Sequence, residues 1–204
     1  MTDRHVAVPG RPRSRRAHDA ILAAAGSLLR ERGLRGMSIE AIAERARVSK
    51  KTIYRWWPSK GTLALDAFYR EWTVAQGATP DTGDLERDLR TRVRAAVRVL
   101  SQAQLGATVA ELIAEAQTDG ELAEAYEKHV LGPQRAQLRA IFGRAAERGE
   151  IAPDADVDAA IDLLQGALYL RLLHTHARLD RAFADSAVSL LTRGVLSQTA
   201  GRNG

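Results

Sequence analysis

An all-α fold in two parts is predicted by this sequence: an N-terminal three-helix head containing a helix-turn-helix, and a C-terminal helical bundle. Three observations carry that prediction. Apolar residues recur at three- and four-residue steps along most of the chain, without strand-like alternation. Clusters of Gly, Pro and small polar residues cut that pattern into helix-sized pieces. Charge is divided unevenly: residues 1–60 hold fourteen Lys and Arg against five Asp and Glu, and residues 61–204 hold sixteen against twenty.

The elements follow in order. Residues 1–16 read as a flexible basic arm, because Pro9-Gly10-Arg11-Pro12-Arg13-Ser14-Arg15-Arg16 mixes chain-breakers with Arg and shows no hydrophobic period. The head spans 17–76. Ile21, Ala24, Ala25, Leu28 and Leu29 form one face of a helix running from Ala17 to near Gly33. Ser38 is a good N-cap for a second helix, Ile39 to Arg45. After the turn Ala46-Arg47-Val48, Ser49 caps a third helix of about two turns, which Pro58 stops. Ser59 caps a fourth, Thr62 to about Gln76. The segment from Gly77 to Gly83, with Pro80, Asp81 and Thr82, separates the head from a body over 84–199. In the body, Gly106, Gly120, Gly149 to Pro153 and Arg178 to Asp180 separate helices at 84–104, 106–117, 120–149, 154–177 and 181–199. A break or kink is expected near Gly132-Pro133.

A chain of 204 residues, 45% hydrophobic and 27% charged, suffices for one well-cored domain or two small ones. The absence of cysteine excludes disulfides and thiolate metal sites. No apolar run is long enough to span a membrane, and the N-terminus lacks the apolar core of a secretion signal. A cytoplasmic protein is expected.

Chemistry concentrates in residues 45–65, which contain no acidic side chain yet hold Arg45, Arg47, Lys50, Lys51, Arg55 and Lys60. Ile53 and Trp57 are four apart and face inward, toward Ile39 and Ile42. Lys50, Lys51, Tyr54 and Arg55 project from the other side. A short helix behind a tight turn, basic outside and apolar inside, is the shape that enters a DNA major groove. There lysine or arginine on guanine acceptors is the favoured base contact. Thr52 suits a phosphate or a thymine methyl, and Trp56, at the edge, suits stacking on sugar. The helix starts at Ser38 and Ser49 offer backbone N–H groups to phosphate oxygens. In the arm, Arg11, Arg13, Arg15 and Arg16 suit the minor groove. Positive charge by itself also fits a solvated face, and a non-specific architectural DNA-binding protein is the second reading.

The pattern Ile21…Ala24-Ala25…Leu28…Gly33…Ser38-Ile39…Ile42-Ala43…Ala46…Val48-Ser49-Lys50…Thr52-Ile53-Tyr54…Trp57…Ser59-Lys60…Leu63 resembles the TetR (tetracycline-repressor-like) family of transcriptional regulators. The resemblance covers about residues 16–66. It implies a homodimer whose two heads read a partly palindromic double-stranded operator, most often as a repressor. In that pattern Thr52, Tyr54 and Lys60 match positions that contact the DNA backbone. Lys50, Lys51, Arg55 and Trp56 match positions facing the groove, and Ile53 and Trp57 match core positions. Lys51 stands where relatives often have a small residue, and Trp56 where they often have histidine. The resemblance further implies an unidentified small-molecule ligand inside the body, whose binding separates the heads.

For that ligand, Trp72, Tyr126, Phe142 and Tyr169 are the candidate pocket residues, aromatic with polar handles. For the dimer, the 154–177 and 181–199 helices are apolar on more than one face. Leu163, Gly166, Ala167, Leu170, Leu191 and Leu196 are expected at an isologous four-helix interface. No enzyme signature, cofactor motif or metal site is read: His174 and His176 are two apart and point to different faces of a helix. Asp154, Asp156 and Asp158 read as a helix start.

Overall fold

A computed structural model describes residues 11–195, with side chains for 15–194, and every extended element among them is helical. The head contains α1 (Arg11–Gly36), α2 (Ile39–Ala46) and α3 (Lys50–Tyr54), followed by α4 (Lys60–Gln76). The body contains α5 (Leu85–Leu100), α6 (Ala103–Ala116), α7 (Gly120–Tyr126), α8 (Gly132–Glu147), α9 (Val157–His174) and α10 (Arg181–Val195).

Helix α1 opens at Arg11, so residues 11–16 are helical where the sequence reading has an arm. Residues 1–10 and the side chains of Arg11 and Arg13 lie outside the described residues. Ile21, Ala25, Leu28 and Leu29 are almost wholly buried, as their spacing requires. Gly33 bends the end of α1 with φ 69°, a conformation that a side chain would strain.

Helix α4 is buried on most of its faces, at Leu63, Ala64, Leu65, Ala67, Phe68 and Trp72, because it is packed by the head on one side and the body on the other. It starts at Lys60, two residues before the expected Thr62. Ser59 and Thr62 cap each other there, with the Ser59 hydroxyl accepting from the Thr62 N–H at 3.1 Å.

The body departs from expectation at two places. Gly106 lies inside α6 and does not end a helix: a Cβ there would sit 2.3 Å from the Leu100 carbonyl oxygen, so only glycine lets α6 double back on α5. The 120–149 segment carries a π turn at Glu127–Leu131, just ahead of Gly132-Pro133. Pro133 has no N–H and its ring crowds the preceding turn, so the wider i→i+5 turn carries the chain past it where a break or kink is expected.

The Arg94 guanidinium donates to the Asp185 carboxylate at 2.5 and 2.7 Å and ties α5 to α10. Arg135 pairs with Asp158 and Asp162, tying α8 to α9. Head and body meet along α1 and α6, where Arg35 pairs with Glu111 at 2.9 Å. No helix among the described residues is long and apolar enough to cross a membrane.

Candidate nucleic-acid interface

The turn between α2 and α3 is built from backbone and caps. The Ser38 hydroxyl oxygen accepts from the Ala41 N–H at 3.2 Å and starts α2. Arg47 closes α2 in the left-handed conformation, φ 54°, which costs a non-glycine residue about 1 kcal/mol. That conformation lets the Arg47 and Val48 N–H groups reach the Glu44 and Ala43 carbonyls at 3.1 and 3.0 Å. The Ser49 hydroxyl then accepts from the Thr52 N–H at 3.2 Å and starts α3, whose first turn has no acid. Helix α3 is five residues long, shorter than the expected two turns, and Arg55 and Trp56 follow it as a turn.

Two side chains anchor α3. Ile53 is fully buried, and Trp57 is buried with its indole N–H donating to the Asp66 carboxylate at 2.7 Å. Lys50 and Lys51 ahead of Ile53, and Tyr54, Arg55 and Trp56 between the anchors, are turned outward, with Tyr54 52% and Trp56 42% exposed. Thr52 and Lys60 are half-buried. The two adjacent tryptophans have different jobs: Trp57 is core, and Trp56 stands at the rim.

The cations differ in what they already hold. Lys50 is paired with Glu40, and the hydrogen bond between them holds the Glu40 carboxyl below its ordinary range and raises Lys50 in turn. Lys60 donates to the Leu34 carbonyl at 3.2 Å, near the end of α1. Arg45 is taken up inside the head: it donates to both Glu31 oxygens at 2.7 and 3.0 Å and to Ser27 at 2.8 Å. Those hydrogen bonds hold the Glu31 carboxyl down at about 2. Among the described residues no carboxylate pairs with Lys51 or Arg55, and the Arg55 guanidinium lies 5.8 Å from the Trp56 ring centroid.

His18 was not singled out by sequence reasoning. Its ring stacks on Trp57 at 4.8 Å and meets Trp56 edge-on at 5.0 Å, so it joins α1 to the end of the recognition turn. It stands three residues before Ile21 and seven before Ala25, on the stripe of α1 that faces the core, and that position was the available signal. Asp66 and Glu40 were likewise invisible to a count of charges.

The body residues fall in separate places. Trp72 and Tyr169 line a small internal cavity of about 30 Å³ between α4, α5, α8 and α9. Tyr126 meets Tyr169 hydroxyl to hydroxyl at 3.3 Å, and burial raises both phenols above their ordinary range. Phe142 is fully buried and does not line that cavity. On α9, Leu163 and Leu170 are 68% and 52% exposed, Gly166 is exposed between them, and Ala167 and the Leu191 of α10 are half-buried. Leu196 lies outside the described residues.

Comparison with known proteins gives one consistent result. Residues 21–67 match the family model described as bacterial regulatory proteins, tetR family. Residues 79–191 match the model for the tetracyclin repressor-like C-terminal domain. The chain is 35% identical over 191 residues to the uncharacterized HTH-type transcriptional regulator YdeS of Bacillus subtilis, covering 94% of this chain and 96% of that one. It is 31% identical over 153 residues to the DNA-binding transcriptional repressor TetR of Mycobacteroides abscessus, covering 75% of this chain and 80% of that one. The crystal structure of the TetR family transcription regulator SCO0332 superposes with a TM-score of 0.80 at 40% identity, covering 88% of this chain and 98% of that one.

Proposed function

The chain belongs to the tetR family of bacterial regulatory proteins and is a DNA-binding transcriptional regulator; from that premise we propose that it acts as a homodimeric, cytoplasmic repressor released from its operator by a small molecule. The observation that carries the DNA reading is the asymmetry of α3 and its following turn. Ile53 and Trp57 lock the segment inward, while Lys51, Tyr54, Arg55 and Trp56 stand outward with no internal carboxylate drawing on the two cations.

In this reading Lys50, Lys51, Arg55 and Trp56 face the major groove, and Thr52, Tyr54 and Lys60 lie along phosphates with the helix starts at Ser38 and Ser49. The head corresponds to 17–76 and the body to 84–199. Dimerisation uses the stripe Leu163, Gly166, Leu170 and Leu173 of α9, spaced three and four apart, with Leu190 and Leu191 of α10 beside it. The opposite stripe of α9, at Ala160, Ile161, Leu164 and Leu168, is already spent in the core. Large leucines left 43 to 71% exposed in one chain want a partner, and a second copy of the same face supplies it.

Helix α4 gives the ligand a route to the DNA. Trp72 lines the internal cavity and Asp66 holds Trp57, and the two are about 9 Å apart along one helix. A shift of α4 forced at Trp72 moves the anchor of the recognition segment. The test is binding of the purified chain to a duplex selected from random sequence, with and without salt. Specific affinity that falls steeply with salt supports the reading, because each neutralised phosphate contributes about −0.9 to the log–log slope. Equal affinity for selected and random DNA favours the architectural reading.

A further inference from the structure

Arg92 is the one buried cation among the described residues, 6% exposed on α5. Its guanidinium donates to the side-chain oxygens of Gln76 and Gln137, both neutral groups. Arg90, Arg94, Arg135, Arg139, Arg144 and Arg148, all nearer the surface, each pair with a carboxylate. Arg92 has none among the described residues. Burial pushes its guanidinium down to about 10, so it stays cationic at neutral pH.

The acceptors around Arg92 are neutral, and two donors beside it are left over. The Trp72 indole N–H and the Gln76 amide nitrogen are buried without any hydrogen-bond partner. Trp72 and Arg92 line the same cavity, where Leu138, Leu164 and Leu168 give apolar surface and Gln134, Gln165 and Tyr169 give neutral polar groups. A guanidinium has five N–H groups, and burying its charge among neutral groups is costly. The cavity has room for about one or two waters. Water satisfies a donor but does not neutralise a charge.

We propose that this cavity is the binding site for a small monocarboxylate with an apolar body. The carboxylate pairs with Arg92 and takes a hydrogen bond from the Trp72 indole, while the apolar part seats against Leu138, Leu164 and Leu168. This rests on the ligand-responsive reading above and gives its ligand a chemical class. Anything larger than a carboxylate head displaces wall side chains, which is how the occupant would press on α4 through Trp72.

The experiment uses the full chain at constant ionic strength, with calorimetric titration and thermal unfolding. The probes are acetate, hexanoate and benzoate, each against its own amide. Hexanoate or benzoate is expected to bind and raise Tm, with the matching amide weaker by about tenfold or more. Arg92→Met removes the uncompensated charge at similar volume. It is expected to fold with Tm at or above the parent and to lose the preference for acid over amide. Trp72→Phe, which keeps a ring and deletes the N–H, weakens carboxylate binding alone. Equal response to acids and amides, no response to either, or a preference that survives Arg92→Met overturns the proposal. Operator binding is followed in parallel. Specific DNA binding without any carboxylate response sinks this inference alone; carboxylate binding through Arg92 that leaves the operator bound upholds the site and sinks ligand-controlled release.

Discussion

The Trp57 indole N–H donates to the Asp66 carboxylate at 2.7 Å, and this bond joins the recognition segment to the helix that runs into the body. Trp57→Phe keeps most of the ring packing and leaves a half-buried carboxylate without its donor. The expected loss is about 1–3 kcal/mol of stability, read as a drop of several degrees in Tm. Asp66→Asn keeps an acceptor for the indole and is expected to cost less than half as much. Thermal unfolding of the two variants, with operator binding at a temperature where both are folded, checks this; equal losses would deny the bond its role.

Glu40 holds Lys50, the cation that the proposed reading sets at the groove. Their pair is on the surface, so Glu40→Gln changes stability little. It frees a cation beside the groove, and the salt dependence of DNA binding is expected to steepen by up to about 0.9 in the log–log slope. Affinity measured from low to high salt for parent and variant decides it. An unchanged slope would place Lys50 away from the duplex.

Arg55 and Lys60 are expected to fail differently. Arg55→Ala should relax the preference at one operator position, by about 1–3 kcal/mol if it reads a base. Lys60→Ala should weaken binding to all sequences alike and reduce the salt slope by about one. It also removes the bond to the Leu34 carbonyl, so a modest loss of stability accompanies it. A binding-site selection repeated with each variant separates the two; a changed consensus with Lys60→Ala would reverse the assignment.

Glu31 supplies a pH signature. Its carboxyl is held down from 4.5 to about 2 by Arg45, so the pair's contribution is complete above about pH 4.5 and is lost as pH falls toward 2. Glu31→Gln is expected to flatten the acid-side fall in Tm within that window and to leave the slope above pH 6 unchanged. An identical acid profile in the variant would show that the pair does not link α1 to α2.

The head was readable because its signals are local. Ser38, Ser49 and Ser59 each cap the helix that follows, and Ile53 and Trp57 are buried as their four-residue spacing demands. What could not be read was long-range. A count of cations in 45–65 cannot tell that Arg45 is consumed by Glu31, fourteen residues away, or that Lys60 reaches back to Leu34. The body was less legible because small residues hide close approaches such as Gly106 on Leu100, and because Pro133 is absorbed by a π turn. Arg92 carries a local signal: it follows Leu85 and Leu89 and precedes Ala96 on the buried stripe of α5, a cation in an apolar register.

In the proposed dimer two copies of α3, held by the α9–α10 face, read one duplex. The most direct measurement is the affinity and stoichiometry of the chain on its selected duplex against a scrambled one at fixed salt, beside Leu170→Lys. Two protomers per duplex are expected, with a preference for the selected sequence of about a thousandfold or more and a folded, monomeric Leu170→Lys protein that has lost it. One protomer per duplex with no preference for sequence would contradict the proposed dimer.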